Sequence, residues 1–174
     1  TDNINGYELW ITDGTSTGTK LVKNINTAGS HSFPQQFESL GNGKMLFSAI
    51  DATNGRELWI TDGTSTGTKL VKNIYTGSTS SVPNSSSPDD LVSLGNGKAF
   101  FTATTSAGSE LWITDGTSAG TTLVKDIYTG STSSISNSVS PDKLVSLGNG
   151  KVLFAAADAA NGNELWISDG TAAG

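Results

Sequence analysis

Residues 8–25 read ELWITDGTSTGTKLVKNI, and the same eighteen letters return at residues 57–74. Residues 110–127 carry ELWITDGTSAGTTLVKDI, and residues 164–174 carry ELWISDGTAAG. The glutamates that open these segments, Glu8, Glu57, Glu110 and Glu164, stand 49, 53 and 54 residues apart. Recurrence at a near-constant period marks one supersecondary unit that has been copied. Any chemistry encoded in that unit would be present in every copy. That is unusual for an active site and common for scaffolds and multivalent binders.

Working outward through the second copy, residues 37–40 form a short apolar piece followed by the turn Gly41-Asn42-Gly43-Lys44. Residues 45–50 read as a second strand, and Asp51 to Gly55 as a turn. Residues 57–61 read as a third strand, the stretch 62–68 as a connection, and residues 69–74 as a fourth strand. Asn-Gly pairs are hairpin signals because primed turns need residues that tolerate positive φ. The Leu-Gly-Asn-Gly-Lys turn recurs at residues 94–98 and 147–151. The pattern predicts an all-β fold of tandem four-stranded antiparallel blades, β-propeller-like.

The units divide as 1–25 (third and fourth strands), 26–74, 75–127, and 128–174 (first three strands). Closed propellers hold about four to eight blades, so the expectation is an incomplete ring or part of a longer repeat array. Completion of unpaired edges by neighbouring chains is the other route, giving self-association into a filament or surface layer.

Period-two alternation puts Leu58 and Ile60 on one face of the third strand, and Glu57, Trp59 and Thr61 on the other. In the fourth strand it sets Leu70, Lys72 and Ile74 against Val71 and Asn73. Apolar groups on both faces suit a sheet packed between two neighbours. The recurring tryptophans, Trp10, Trp59, Trp112 and Trp166, are expected in the contact between blades, the alternative being an exposed platform for a sugar ring. The Ser/Thr-rich linkers 75–88 and 128–141, and the shorter 26–34 with the sole histidine His31, read as exposed, mobile loops.

Net charge is −6 with a pI near 4.5, and the lysines and arginines are scattered, which argues against nucleic acid as a partner. No apolar run is long enough for a membrane-spanning helix. The absence of cysteine removes disulfides and thiolate chemistry. Hydrophobic residues at 34% and 21 glycines suit short strands and tight turns.

The motif Glu-Leu-Trp-x-x-Asp-Gly-Thr, followed by Gly-Thr-x-Leu-Val-Lys-Asn/Asp-Ile, resembles the ELWxxDGT repeat family of bacterial proteins, sometimes labelled hyalin-like. The resemblance covers essentially the whole chain. It implies an exported, repeat-built β protein at the cell surface and supplies no catalytic residues. The Thr-Asp-Gly-Thr connection is also partly similar to the Asp-box hairpin of sialidase-type propellers. That similarity implies a structural role for Asp13, Asp62, Asp115 and Asp169 as turn formers.

Two chemistries compete with the structural reading. Asp2-x-x-Asn5-Gly6-x-Glu8 recurs as Asp51, Asn54, Glu57 and as Asp158, Asn161, Glu164, an oxygen-rich set that could hold calcium. A hairpin turn with glycine at the positive-φ position explains the same letters. Glycan binding is the second, since Trp, Asn, Asp and Thr, the residue types of such sites, are repeated from unit to unit. Catalysis has little to rest on: His31 has no nucleophile elbow near it and reads as a solvated loop residue. The expectation is therefore a non-catalytic extracellular structural or adhesive protein that needs no cofactor, with a multivalent glycan-binding module as the alternative.

Overall fold

The computed structural model describes residues 6–27, 29–127, 141–158 and 160–174. Among them every regular element is a strand, and every pairing is antiparallel. Unit 1 is the two-stranded sheet β1 (Leu9–Ile11) and β2 (Lys20–Lys23). Unit 2 is a meander of β3 (Gln35–Gly41), β4 (Lys44–Asp51), β5 (Gly55–Thr61) and β6 (Lys69–Lys72). A small hairpin, β7 (Ser78–Thr79) and β8 (Val82–Pro83), precedes unit 3, which holds β9 (Asp89–Ser93), β10 (Ala99–Thr105), β11 (Gly108–Thr114) and β12 (Thr122–Lys125). Unit 4 has β13 (Asp142–Ser146), β14 (Val152–Asp158) and β15 (Gly162–Ser168).

Turn chemistry sets these boundaries. Asp51 pairs with Gly55 across a three-residue loop, and Gly55 takes φ +72°. That is the glycine position of a hairpin closed by a bulge. Gly41-Asn42-Gly43-Lys44 closes as a two-residue turn with Asn42 and Gly43 both at positive φ. The same letters in units 3 and 4 take another geometry. There Leu94 N–H donates to Lys98 O and Leu147 N–H to Lys151 O, each at 2.9 Å. The side chains of Asn96 and Asn149 accept from the backbone N–H of Lys98 and Lys151, so the asparagine need not enter the left-handed region.

Two irregularities repeat from unit to unit. In each outer strand one valine is an extra residue in the ladder: Trp10 pairs with Leu21 but Leu9 with Lys23, leaving Val22, and likewise Val71 and Val124. All three valines are buried. In each first strand the ladder gains a residue near Gln36, Asp90 or Lys143, and these non-glycine residues hold φ of 57°, 49° and 55°. Bulges of this kind bend a strand and raise its twist.

The sheets stack face on face in chain order. Leu9, Val22 and Ile25 of unit 1 meet Phe47, Ala49 and Trp59 of unit 2. Leu40, Leu46, Leu58, Ile60 and Val71 of unit 2 meet Ala99, Phe101 and Ala103 of unit 3, with Trp112 against them. Leu94, Phe100, Leu111, Val124 and Ile127 of unit 3 meet Val152, Phe154 and Ala156 of unit 4, with Trp166 against them. The first strands of successive units, β3 with β9 and β9 with β13, also lie against one another.

Two expectations change. The fourth strand stops at Lys72, so alternation no longer governs Ile74, which packs with Val71 and not with Leu70. The linker 75–88 is not a simple exposed loop, because it contains β7–β8 and a fully buried Ser86. Its near-copy at 128–141 lies outside the described residues except for Pro141.

The Asp-Gly-Thr glycine of units 2, 3 and 4 sits under the preceding unit's isoleucine. A Cβ on Gly116 would stand 2.7 Å from Ile60 Cδ1 and 2.8 Å from Leu40 Cδ2. One on Gly170 would stand 2.6 Å from Ile113 Cδ1, and one on Gly63 3.0 Å from Ile11 Cδ1. Gly14, at the same position of unit 1, has nothing within 4 Å. All four have positive φ, so alanine at each carries a backbone penalty of about 1–2 kcal/mol. Gly116→Ala adds overpacking of about 1–3 kcal/mol. Urea unfolding should therefore show Gly116→Ala losing clearly more stability than Gly14→Ala, and equal losses would contradict the packing described.

Candidate functional site

The recurring residues meet at the junctions between units, and the junctions of unit 1 with unit 2 and of unit 2 with unit 3 are each held at two ends. At one end lies the motif glutamate. Glu57 is fully buried and accepts from Ile74 N–H (3.0 Å), Tyr75 N–H (3.3 Å), Ser86 N–H (3.1 Å) and Ser86 Oγ–H (2.5 Å). Glu8 does the same with Ile25 N–H (2.8 Å), Ser32 N–H (3.2 Å) and Ser32 Oγ–H (2.7 Å). Glu110 accepts from Ile127 N–H at 3.1 Å; the position matching Ser86 is Val139, outside the described residues.

Ser32 and Ser86 then pass the connection onward. Their carbonyls accept from Ile50 N–H and Thr104 N–H, both at 2.8 Å, at the far end of the next unit's second strand. One glutamate thus ties the third strand of its unit to the fourth strand's exit and to the entry of the following sheet. Burial pushes the Glu57 carboxyl up, against the donors that favour its ionised form. Burial also raises Glu110, with the Asp126 charge adding to it and the Ile127 N–H opposing.

At the other end lies the Asp-Gly-Thr turn. Asp62 Oδ1 accepts from Thr64 N–H (2.9 Å) and Thr64 Oγ1–H (2.6 Å). Thr64 Oγ1 accepts from Gly67 N–H at 2.9 Å, and Thr64 O accepts from Thr68 Oγ1–H at 2.7 Å. Thr61 and Thr68 hydroxyls meet at 2.6 Å. Asp13 and Asp115 anchor identical networks, and Asp169 repeats its first half. The second glycine of the motif is required by contact, since a Cβ on Gly67 would stand 2.0 Å from Asp62 Oδ1.

This turn presents carbonyls to the preceding unit's lysine. Lys23 Nζ donates to Thr68 O, and Lys72 Nζ to Thr121 O, both at 2.7 Å. Hydrogen bonds from a charged donor contribute about 1.5–3 kcal/mol. The aspartate locks the turn, and the turn holds the neighbour's lysine.

The tryptophans lie in the same interface. Trp59 is buried against Leu9, Val22 and Ile25, and Trp112 and Trp166 pack on the preceding sheet. Covered in this way, Trp59 offers no face to a sugar. Trp10 is 37% exposed and borders a cleft of about 320 Å³ with Tyr7, Phe33, Pro34, Gln35 and Phe37.

The oxygen-rich sets do not converge. Asp51 Oδ1 accepts from Thr53 N–H, Asn54 N–H and Asn54 Nδ2, while Glu57 faces the linker donors. Asp158 makes the same turn with Ala160 and Asn161, and Glu164 is exposed. Among the described residues no three His, Asp or Glu side chains are grouped as metal ligands. A calcium ion at either turn would have to displace these donors. Asp2 and Asn5 lie outside the described residues. His31 is exposed in its loop and also partnered: its Nδ1 accepts from Tyr7 N–H at 2.9 Å, and its ring packs against Tyr7 and Phe33.

Glu, Lys and the linker serine were the least legible parts of the junction. Their signal was present in the letters: Glu and Lys recur in each full copy, and Ser32 and Ser86 both stand two residues before a proline. No protein-family model matches the chain, and no curated protein matches it.

Two measurements check this site. Glu57→Ala would leave buried N–H and O–H donors without an acceptor, at about 1–3 kcal/mol for each unsatisfied group. Glu57→Gln should also destabilise, because an amide places its own donors among four others; full stability in both variants would refute the tie. Hydrogen bonds from the motif threonines, chiefly the hydroxyl, hold the Asp13, Asp62, Asp115 and Asp169 carboxyls below the usual value. The stability they contribute is present above the unfolded aspartate pKa and is lost as pH falls through the lowered folded values. NMR titration should find these four carboxyls more acidic than an unperturbed aspartate.

Proposed function

We propose that the chain is a non-catalytic structural or adhesive module of an exported bacterial protein of the ELWxxDGT type, its units serving as blades of a β-propeller-like array. The observation that carries this reading is where the recurring side chains go. Glu8, Glu57, Lys23 and Lys72 are spent on joining one sheet to the next, Asp62 and Asp115 on building the turn that receives the lysine, and Asp13 and Asp169 on building the same turn. A repeat that uses its polar groups in this way transmits position and load from unit to unit, the behaviour of quasi-one-dimensional scaffolds. The side-by-side first strands support the propeller-like arrangement.

A second reading, glycan binding, rests on one observation. Tyr7, Trp10, Phe33 and Phe37 are all more than one-third exposed around the same cleft, and planar apolar faces of that kind stack on sugar rings. The two readings part in one pair of experiments. The structural reading expects assemblies larger than the 17.9 kDa chain by sedimentation and electron microscopy, and no saturable signal on a glycan array. A strictly monomeric protein whose glycan signal vanishes with Trp10→Ala would replace it with the second.

A further inference from the structure

The same backbone group is capped in units 1 and 2 by chemically different side chains. In unit 2, Arg56 N–H donates to Ser85 Oγ at 2.9 Å, and Arg56 O accepts from Ser87 N–H at 3.1 Å. The matching residue of unit 1 is Tyr7. Its N–H donates to His31 Nδ1 at 2.9 Å, and its carbonyl accepts from Phe33 N–H at 3.2 Å. The two linkers close on their sheets in the same way, through Phe33-Pro34 and Ser87-Pro88, with φ of 43° and 47° before the proline. Only the acceptor differs, a hydroxyl oxygen in one unit and an imidazole nitrogen in the other.

Each acceptor is seated against the glycine that precedes the donor. A Cβ on Gly6 would stand 2.1 Å from His31 Nδ1, and one on Gly55 2.6 Å from Ser85 Oγ. The imidazole also packs edge-on against two rings, with centroids 5.1 Å from Tyr7 and 5.0 Å from Phe33. Its neighbour Ser32 donates to Glu8, so His31 stands at the tie that joins unit 1 to unit 2. A nitrogen that accepts carries no proton, so this bond exists only with the neutral ring, protonated on Nε2. The imidazolium has a proton on both nitrogens, and its Nδ1–H would be aimed at Tyr7 N–H. Close seating against Gly6 prevents it from turning in place, so the ring must swing out and leave Tyr7 and Phe33. Among the described residues, the titratable and charged groups around it are Tyr7, Glu8 beside Ser32, and Arg56, whose Nη1 donates to Phe33 O. No carboxylate oxygen among them lies within 4 Å of the ring nitrogens to hold an imidazolium in place.

We propose that His31 makes the junction of unit 1 with unit 2 an acid-sensitive joint, the linker 26–34 releasing Tyr7 when the ring takes up a proton. The role given to the joint rests on the structural reading above. Histidine is the side chain whose charge ordinarily changes between about pH 5 and 8, and His31 is exposed to solvent. Serine has no such change, so the cap of Arg56 by Ser85 persists. The fold bonds the neutral ring and the unfolded chain does not. The stability from this bond is therefore present at neutral pH and lost as the pH falls. Acid loosens one junction ahead of the next, which gives the stack a defined point of release.

Amide hydrogen exchange on the full chain, followed by NMR and corrected for the intrinsic rate at each pH, reads the two caps separately. From about pH 8 to about pH 5, protection of Tyr7 N–H should fall about tenfold, the factor of one lost hydrogen bond. Protection of Arg56 N–H should stay within about twofold over the same range. His31→Ser puts into unit 1 the residue that unit 2 uses at this position, and Tyr7 should then behave as Arg56 does. Chemical shifts of the ring nitrogens report the protonation of His31 in the same samples. The proposal is overturned if Tyr7 keeps its protection while the ring is protonated, or if the ring stays neutral throughout. It is equally overturned if His31→Ser leaves the acid loss at Tyr7 unchanged. Sedimentation of the same samples separates this from the structural reading. Large assemblies with a pH-independent Tyr7 sink the acid-sensitive joint alone, and a monomer whose Tyr7 opens in acid sinks the structural reading and keeps the switch.

Discussion

A β-sheet that is apolar on both faces is stable only between two others, and this constraint governs the whole molecule. Leu58 and Ile60 point to one neighbour and Trp59 to the other, so the third strand of unit 2 has no solvent face of its own. Burial on this scale contributes about 1.5–3 kcal/mol for each large side chain removed from water. It also demands close approach, and that demand accounts for the glycines. The Asp-Gly-Thr glycine leaves room for the preceding isoleucine, and a side chain there would hold the sheets apart.

Polar groups follow from the same constraint. Stacking buries the ends of the strands, where backbone N–H groups would otherwise lose water without gaining a partner. The buried glutamate accepts from those groups, and the linker serine relays the connection into the next sheet. At the opposite end the lysine caps carbonyls that the aspartate-locked turn holds in place. Two polar ties flank one apolar contact at the first two junctions, which makes them specific as well as cohesive.

Much of this was legible in the letters. The period, the strand order within a unit, the hairpins at Asp51–Gly55 and the two apolar faces all follow from local patterns that need only the chain's own stereochemistry. The Asp62 turn was legible for the same reason, because its donors lie two to five residues away. The role of Glu57 was not. Its donors at 74, 75 and 86 lie 17 to 29 residues off, and an isolated carboxylate beside Asn and Gly reads equally well as a cation ligand. His31 is an exposed loop residue as its setting suggests, but its contact with Tyr7, 24 residues earlier, was not legible for a similar reason.

By itself the sequence determined the unit: four short strands, their turns, and a side chain of fixed type for each face, since alternation and turn preference act within a few residues. Tertiary structure decided what the unit joins to. Only packing shows that Ile60 rests on Gly116, that Lys72 reaches Thr121 O, and that Glu57 binds the entry to the next sheet. These contacts span roughly 30 to 56 residues, distances over which no local pattern constrains the chain, so they exist only once one sheet has been laid against another.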